Sequence, residues 1–344
     1  MVVGAPPAVR IHGELTPVEG AEAYSPASLQ DAVYGMLMPD QIQQFEESPE
    51  SRNELDFAYG LSGVGRFRCN IHRQRGSIGV VVRAVPSEVP KLEALNLPPE
   101  VEVIPMLRKG LVLMTGPTGS GKSTTLAALI DQINDQRADH IITIEDPIEY
   151  LHRSKKSYVS QREVGPAGDT LSFRNALKYS LRQDPDVILV GEMRDYETIG
   201  IALTAVETGH LVFGTLHTPN APQTVSRIID VFPPSQQPQI RAQLSYSLEA
   251  VIAQILLPSS GGRGRVAAVE VMRSNTAIRT LIRENKIEAI HQAMETGTKD
   301  GMLTMDQCMQ SLVANGRTDA ATVLPYVRTA TARKNVEGFL ATAA

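Results

Sequence analysis

A chain of 344 residues that is 42% hydrophobic and 21% charged is ordinary globular material for about two domains, which excludes a stapled mini-protein, a fibre and wholesale disorder. Lys and Arg number 33 against 38 Asp and Glu, a net charge of −5, and that balance speaks against a protein that coats nucleic-acid phosphates. The two distant cysteines, Cys69 and Cys308, with no C-x-x-C pair, supply neither a disulfide framework nor a four-thiolate zinc site; no apolar run reaches the ~18–20 residues of a bilayer span and no signal-peptide pattern opens the chain, so a cytosolic protein is expected.

In the first hundred residues, alternating stretches such as 8–12 and 79–83 predict strands, and 26–47 predicts a helix. They read as a small α+β domain over 1–97. Between Val85 and Pro105 the prolines Pro86, Pro90, Pro98, Pro99 and Pro105 oppose long helices and break strand ladders; residues 98–105 are expected to link that domain to a larger one over 106–344. From Leu111 onward, 111–115, 141–144, 187–190 and 211–214 are short apolar runs set between amphipathic stretches. Strands buried on both faces, as in a parallel sheet covered by helices, have this form. Beyond Phe232-Pro233-Pro234 helices are expected at 235–257, 276–284, 286–296 and 303–314, with a loop at 261–264 and a last strand at 266–272.

The first strand of the larger domain runs into Gly116-Pro117-Thr118-Gly119-Ser120-Gly121-Lys122-Ser123-Thr124, which satisfies G-x-x-x-x-G-K-[ST] between a strand and a helix, the context a phosphate-binding loop requires. Glycines let backbone N–H groups converge on phosphate oxygens and the helix N-terminus adds its dipole. Lys122 is then expected on the β and γ phosphates of ATP, with the Ser123 hydroxyl on Mg²⁺. The second strand ends in Glu145, Asp146 and Glu149, where Pro147 sends Glu149 into a loop at the edge where open α/β sheets bind ligands. The third ends in Glu192, the form of a Walker B acid, and the fourth is flanked by His210 and His217. Taken singly, each such acid or imidazole is as well explained by a solvated or structural role.

In order along the chain, GPTGSGKST, ITIEDPIEY, DVILVGEMRD and GHLVFGTLHT resemble the Walker A, Asp box, Walker B and His box of the secretion ATPase superfamily of type II secretion and type IV pili. Ala277-Ile278-Arg279-Thr280-Leu281-Ile282-Arg283-Glu284 resembles the AIRNLIRE motif of the PilT-type pilus-retraction branch, with Thr280 in place of the motif Asn. The resemblance implies a RecA-like P-loop core with a smaller N-terminal PAS-like domain, and a homohexameric, ATP-hydrolysing motor that powers pilus retraction and twitching motility. It further implies an inner-membrane pilus platform protein as partner, an accessory retraction ATPase beside it, no nucleic acid, and a cytoplasmic position docked at the inner-membrane base of the pilus machine. By residue, it makes Glu149 the general base or water-orienting group, Glu192 the acid at Mg²⁺ directly or through water, and His217 the sensor of the γ-phosphate region. Arg66, Arg68, Arg75 and Arg83 become candidates to reach a neighbouring subunit's ATP, against the plain reading of a solvated strand face. Residues 277–284 become a retraction determinant, although Ile278, Leu281 and Ile282 at i, i+3, i+4 also describe any packed amphipathic helix.

Against the family's pattern, the start is expected to lack the usual first helix and strand and residues 165–168 to lengthen a loop; residues 317–344 also diverge. Four alternatives stand beside the retraction motor: an extension ATPase, a type II secretion ATPase, an accessory retraction paralogue, and a nucleotide-controlled assembly factor with little hydrolysis. The absent four-cysteine element argues against the first two, and the joint presence of Lys122, Glu149 and Glu192 against the last.

Overall fold

The computed structural model describes residues 1–11, 14–48, 53–165, 168–262 and 264–343. By internal contacts the chain divides into two compact units, 1–87 with 165–169, and 88–164 with 170–344. Of the stretches read above as strand or loop, His12, Pro166, Ala167 and Arg263 lie outside the described residues.

The smaller unit is α+β. Strands β1 (Ala8–Ile11) and β2 (Glu14–Pro17) form an exposed antiparallel ribbon. Strands β3 (Glu54–Leu61), β4 (Gly65–Gln74) and β5 (Ser77–Val85) form a three-stranded antiparallel sheet. Its inner face packs Phe57, Cys69, Ile71 and Val80 against Leu29, Val33 and Phe45 of two helices, Pro26–Tyr34 and Pro39–Glu47. The single helix expected over 26–47 is therefore two. Proline disfavours helical conformation in the residue before it, and Met38, just before Pro39, is extended at φ −79°, ψ 157°.

The larger unit is built on a seven-stranded sheet: β6 (Gly110–Thr115), β7 (His140–Glu145), β8 (Tyr158–Glu163), β9 (Val187–Val190), β10 (Leu211–Thr215), β11 (Leu248–Pro258) and β12 (Arg265–Arg273). The order is β12-β11-β6-β10-β9-β7-β8, all parallel except β12. Alternate residues of β6 serve opposite faces. Val112 and Met114 pack toward helix Lys122–Gln136 and the C-terminal helices, while Leu111 and Leu113 pack toward helices Tyr196–Glu207, Ala221–Asp230 and Thr276–Arg283. Covering on both faces is why the central strands read as unbroken apolar runs. Because the six parallel strands point one way, the ends of β6, β7, β9 and β10 meet at one edge.

One expectation fails here. The helix expected over 235–257 is a helix only at Gln237–Ser247; from Leu248 the chain is strand β11, inserted between β6 and β12. The run Leu248–Pro258 is apolar at nearly every position, and periodicity does not separate a doubly covered strand from a buried helix. The proline-rich stretch is ordered and packed within the larger unit. It forms the turns Leu92–Leu95, Pro99–Glu102 and Ile104–Met106, and Leu92, Leu97, Val101 and Ile104 enter the same core as Leu129 and Ile133 of helix Lys122–Gln136. Among the described residues no helix is long and apolar enough to cross a membrane.

Candidate active site

Strand β6 is buried over its whole length, and the turn that leaves it depends on positive-φ glycines: Gly116 at 139°, Gly119 at 78° and Gly121 at 86°. A Cβ on Gly116 would lie 2.2 Å from the Gln254 carbonyl oxygen and one on Gly121 2.8 Å from Gln254 Nε2, whereas one on Gly119 meets nothing within 4 Å. Packing against β11 demands the outer two glycines, and backbone conformation alone the middle one. Pro117, Thr118 and Gly119 are exposed at the tip. Lys122, only 9% exposed, donates from Nζ to the carbonyls of Gly116 at 2.7 Å and Pro117 at 3.0 Å. Burial pushes its pKa down, and Glu192 acts in the opposite sense. The Ser120 hydroxyl is buried with no hydrogen-bond partner among the described residues. A buried ammonium and an unpaired hydroxyl at the start of a 15-residue helix make a site for an anion.

The loop is held by a residue sequence reasoning missed. Gln254 donates from Nε2 to the Ser120 carbonyl at 2.8 Å and accepts from the Thr125 hydroxyl at 2.9 Å. Its signal in the sequence is a single amide within the apolar run 250–257, which by periodicity reads as the end of a helix. Tyr150 was also missed; its hydroxyl lies 3.0 Å from Thr124 Oγ1, joining the end of the Asp box to the helix that begins at Lys122.

The three carboxylates after β7 separate by role. Glu145 accepts from the Thr143 hydroxyl at 2.6 Å, from Gln161 Nε2 at 3.1 Å and from the Glu149 amide at 3.4 Å, and burial raises its pKa. It is committed to bracing the loop. Asp146 and Glu149 are exposed at the sheet edge. At the end of β9, Glu192 Oε1 accepts from Arg194 Nε at 2.5 Å and lies 3.4 Å from His217 Nε2, so the Walker B and His-box residues do meet. Arg194 lies inside the Walker B stretch, and its partner is not evident from the sequence. His210 does not join them. Its carbonyl accepts from the Gly110 amide at 3.1 Å, at the opening end of β6, and its Nδ1 lies 2.7 Å from the Ala205 carbonyl. Of the two imidazoles flanking β10, only His217 stands at the site edge.

In the smaller unit, Arg68 of β4 and Arg83 of β5 are direct cross-strand partners, and Arg66 lies two residues along the same face. Arg75 stands apart in the β4–β5 turn, at φ 49° beside Gly76 at 76°. In the 277–284 stretch, Ile278 and Ile282 are buried core and Leu281 is half-buried, whereas Ala277, Arg283 and Glu284 are exposed. Arg279 has a task of its own: it donates to the carbonyls of Ser245 at 2.9 Å and Tyr246 at 2.8 Å and pairs with Glu249 at 2.8 Å, capping the end of helix Gln237–Ser247.

Among the described residues no three His, Cys, Asp or Glu side chains cluster as a metal site. The oxygen donors of Ser123 and Glu192 suit a hard cation that keeps several waters and completes its shell with phosphate oxygens; these residues fit Mg²⁺ brought with a nucleotide.

A phosphate-binding loop, an exposed carboxylate beside it and a strand-end acid against an imidazole, all at one edge of a RecA-like sheet, define a P-loop ATPase. The model of the family "Type II/IV secretion system protein" matches residues 80–335. A "Twitching motility protein" of Neisseria gonorrhoeae is 50% identical over 310 residues, covering 90% of this chain and 81% of that protein. The "Type IV pilus retractation ATPase PilT" of Pseudomonas aeruginosa is 48% identical over 318 residues, covering 91% and 89%. A crystal structure of the pilus retraction motor PilT with bound ADP superposes with a TM-score of 0.86 at 46% identity, covering 96% of this chain and 93% of that one. The chain belongs to the type II/IV secretion system protein family.

Proposed function

We propose that the chain is the ATP-hydrolysing motor of type IV pilus retraction, working as a homohexamer on an inner-membrane platform protein, docked on the cytoplasmic side at the base of the pilus machine, with an accessory retraction ATPase beside it. What supports the ATPase half is that the Lys122 loop, the Glu149 loop, Glu192 and His217 follow parallel strands that end at one sheet edge. The retraction half rests on likeness to pilus-retraction proteins across most of their length. Two buried cysteines, Cys69 and Cys308, leave no four-cysteine element of the kind expected of extension and type II secretion relatives.

Phosphoryl transfer to water asks for positioning and charge stabilisation, and little covalent chemistry from the protein. Gly116 to Ser123 wrap the phosphates, and Lys122 exchanges its loop carbonyls for the β and γ oxygens. Mg²⁺, held by Ser123 and by Glu192 directly or through water, would neutralise charge on those oxygens. Glu149, exposed and carried on a loop that Glu145 braces, orients the attacking water. His217 reports the γ-phosphate to Glu192. Arg66, Arg68 and Arg83, on one sheet face, reach a neighbouring subunit's ATP; permanently charged and forked, arginine suits phosphate oxygens. The exposed side of the 277–284 helix, with Ala277, Arg283 and Glu284, is where a retraction-specific contact is made.

Deleting the gene and counting surface pili alongside surface motility tests the direction. Abundant pili with lost motility are expected; bald cells would place the protein with the extension ATPases.

A further inference from the structure

His217 is carried on a short loop, residues 217–220, that is anchored from two sides. On one side Thr115, the last residue of β6, donates to the Thr218 carbonyl, and the hydroxyls of Thr115, Thr218 and Thr224 form a chain with 2.7 Å between neighbours. On the other side stand two residues outside every motif. Glu270, on β12 and 1% exposed, accepts the Ala221 amide at 2.8 Å through Oε1, and its Oε2 has no hydrogen-bond partner among the described residues. Burial pushes its pKa up, and the Ala221 amide, Arg328, His291 and the Met305 amide act in the opposite sense, favouring its charged form. Arg328 donates from Nη2 to the Pro219 carbonyl at 3.4 Å. Its own backbone is fixed because Asp306 accepts the amides of Arg328 at 3.0 Å and Thr329 at 2.8 Å.

A carboxylate buried in a strand is costly, and β12 has no local use for one, since Glu270 sits opposite Ala253 in the ladder. Besides the Met305 amide, it serves the Ala221 amide at the start of the helix that follows the His217 loop. We propose that Glu270 and Arg328 are positioning residues for ATP hydrolysis, opposite charges that fix the backbone from Pro219 to Ala221 and so hold His217 against Glu192. The divergent C-terminal segment then acts as a strap behind the active-site loop. This rests on the reading that His217 serves hydrolysis.

The test is steady-state ATP turnover of the full chain for Arg328→Met, Glu270→Gln, His217→Ala and the Arg328→Met/His217→Ala pair, each with its melting temperature. Arg328 is exposed, so its variant folds, and Glu270→Gln keeps an acceptor for Ala221 while removing the charge. Both are expected to lower kcat about 10-fold with KM for ATP within about 2-fold, as misplacement of a catalytic group does. If Arg328 acts through His217, the paired variant turns over no more slowly than His217→Ala alone. Wild-type kcat in both single variants, with His217→Ala impaired, overturns the proposal and leaves the function standing; so does a multiplicative loss in the pair. Wild-type kcat in His217→Ala overturns the role of His217 and the strap with it.

Discussion

Glu192 Oε1 stands 3.4 Å from His217 Nε2, across the ends of two neighbouring parallel strands, and shares that oxygen with Arg194 at 2.5 Å. The acid that would serve a divalent cation is thus already engaged by two basic side chains. A magnesium ion held by Ser123 and by Glu192, directly or through water, would compete with Arg194 for that carboxylate. Chelation by EDTA is expected to abolish turnover, and Glu192→Gln to lower kcat about 100-fold or more while retaining nucleotide binding. Assays at graded free Mg²⁺ would check this; turnover undiminished in EDTA would remove the cation from the site.

Gln254 ties β11 to the phosphate loop, and Gln254→Ala leaves the buried Ser120 carbonyl and Thr125 hydroxyl without their partner. A loss of about 1–3 kcal/mol is expected, read as a lower denaturation midpoint. Weaker ATP binding should accompany it, because the loop then loses its support. Calorimetry of ATP binding and urea melts on the same protein separate the two effects.

Histidine 152 should give the folded protein a signed response to acid. Burial pushes its pKa down to about 4 from 6.5, and its Nδ1 is buried without a hydrogen-bond partner among the described residues. The unfolded chain takes up this proton near pH 6.5 and the folded chain only near pH 4, so between those values the unfolded state binds more protons. Stability is accordingly lost as pH falls through that window, by up to roughly 3 kcal/mol from this residue. Glu145 and Glu270, whose pKa values burial raises, contribute in the opposite sense, gaining stability as pH falls. Urea melts between pH 7 and 5 should show a shallower decline in His152→Gln than in the parent chain.

Arg68 and Arg83 face each other across β4 and β5, an arrangement of like charges that costs a sheet roughly 0.2–1 kcal/mol. Arg83→Gln should therefore raise the melting temperature slightly. If the pair serves a neighbour's phosphates, the same variant should lose ATP turnover. A gain in stability with full activity would leave these arginines as ordinary surface charge.

Much of this site was legible in the residues because its chemistry is local in sequence. Glycines at 116, 119 and 121 carry the positive φ that the motif requires, and the strands ending in Glu145 and Glu192 stand where their apolar runs predict. What sequence could not supply was which partner each polar group meets. Glu145 looks as available as Glu149 until its three donors are seen. His210 and His217 look equivalent until parallel pairing puts them at opposite ends of β10. Strand β11 was hidden for a related reason: burial on both faces erases the alternation that distinguishes a strand, and with it went the meaning of Gln254. Arg279 is one residue of the 277–284 motif in sequence, and only the fold shows that it caps a neighbouring helix.

The most direct measurement is ATP turnover and ATP affinity of Glu149→Gln on one preparation. The isosteric amide keeps the loop's shape and removes the carboxylate proposed to orient water, so ATP should bind as in the parent chain while turnover falls about 10²- to 10⁴-fold. Turnover close to that of the parent chain would contradict the placement of hydrolysis at Glu149.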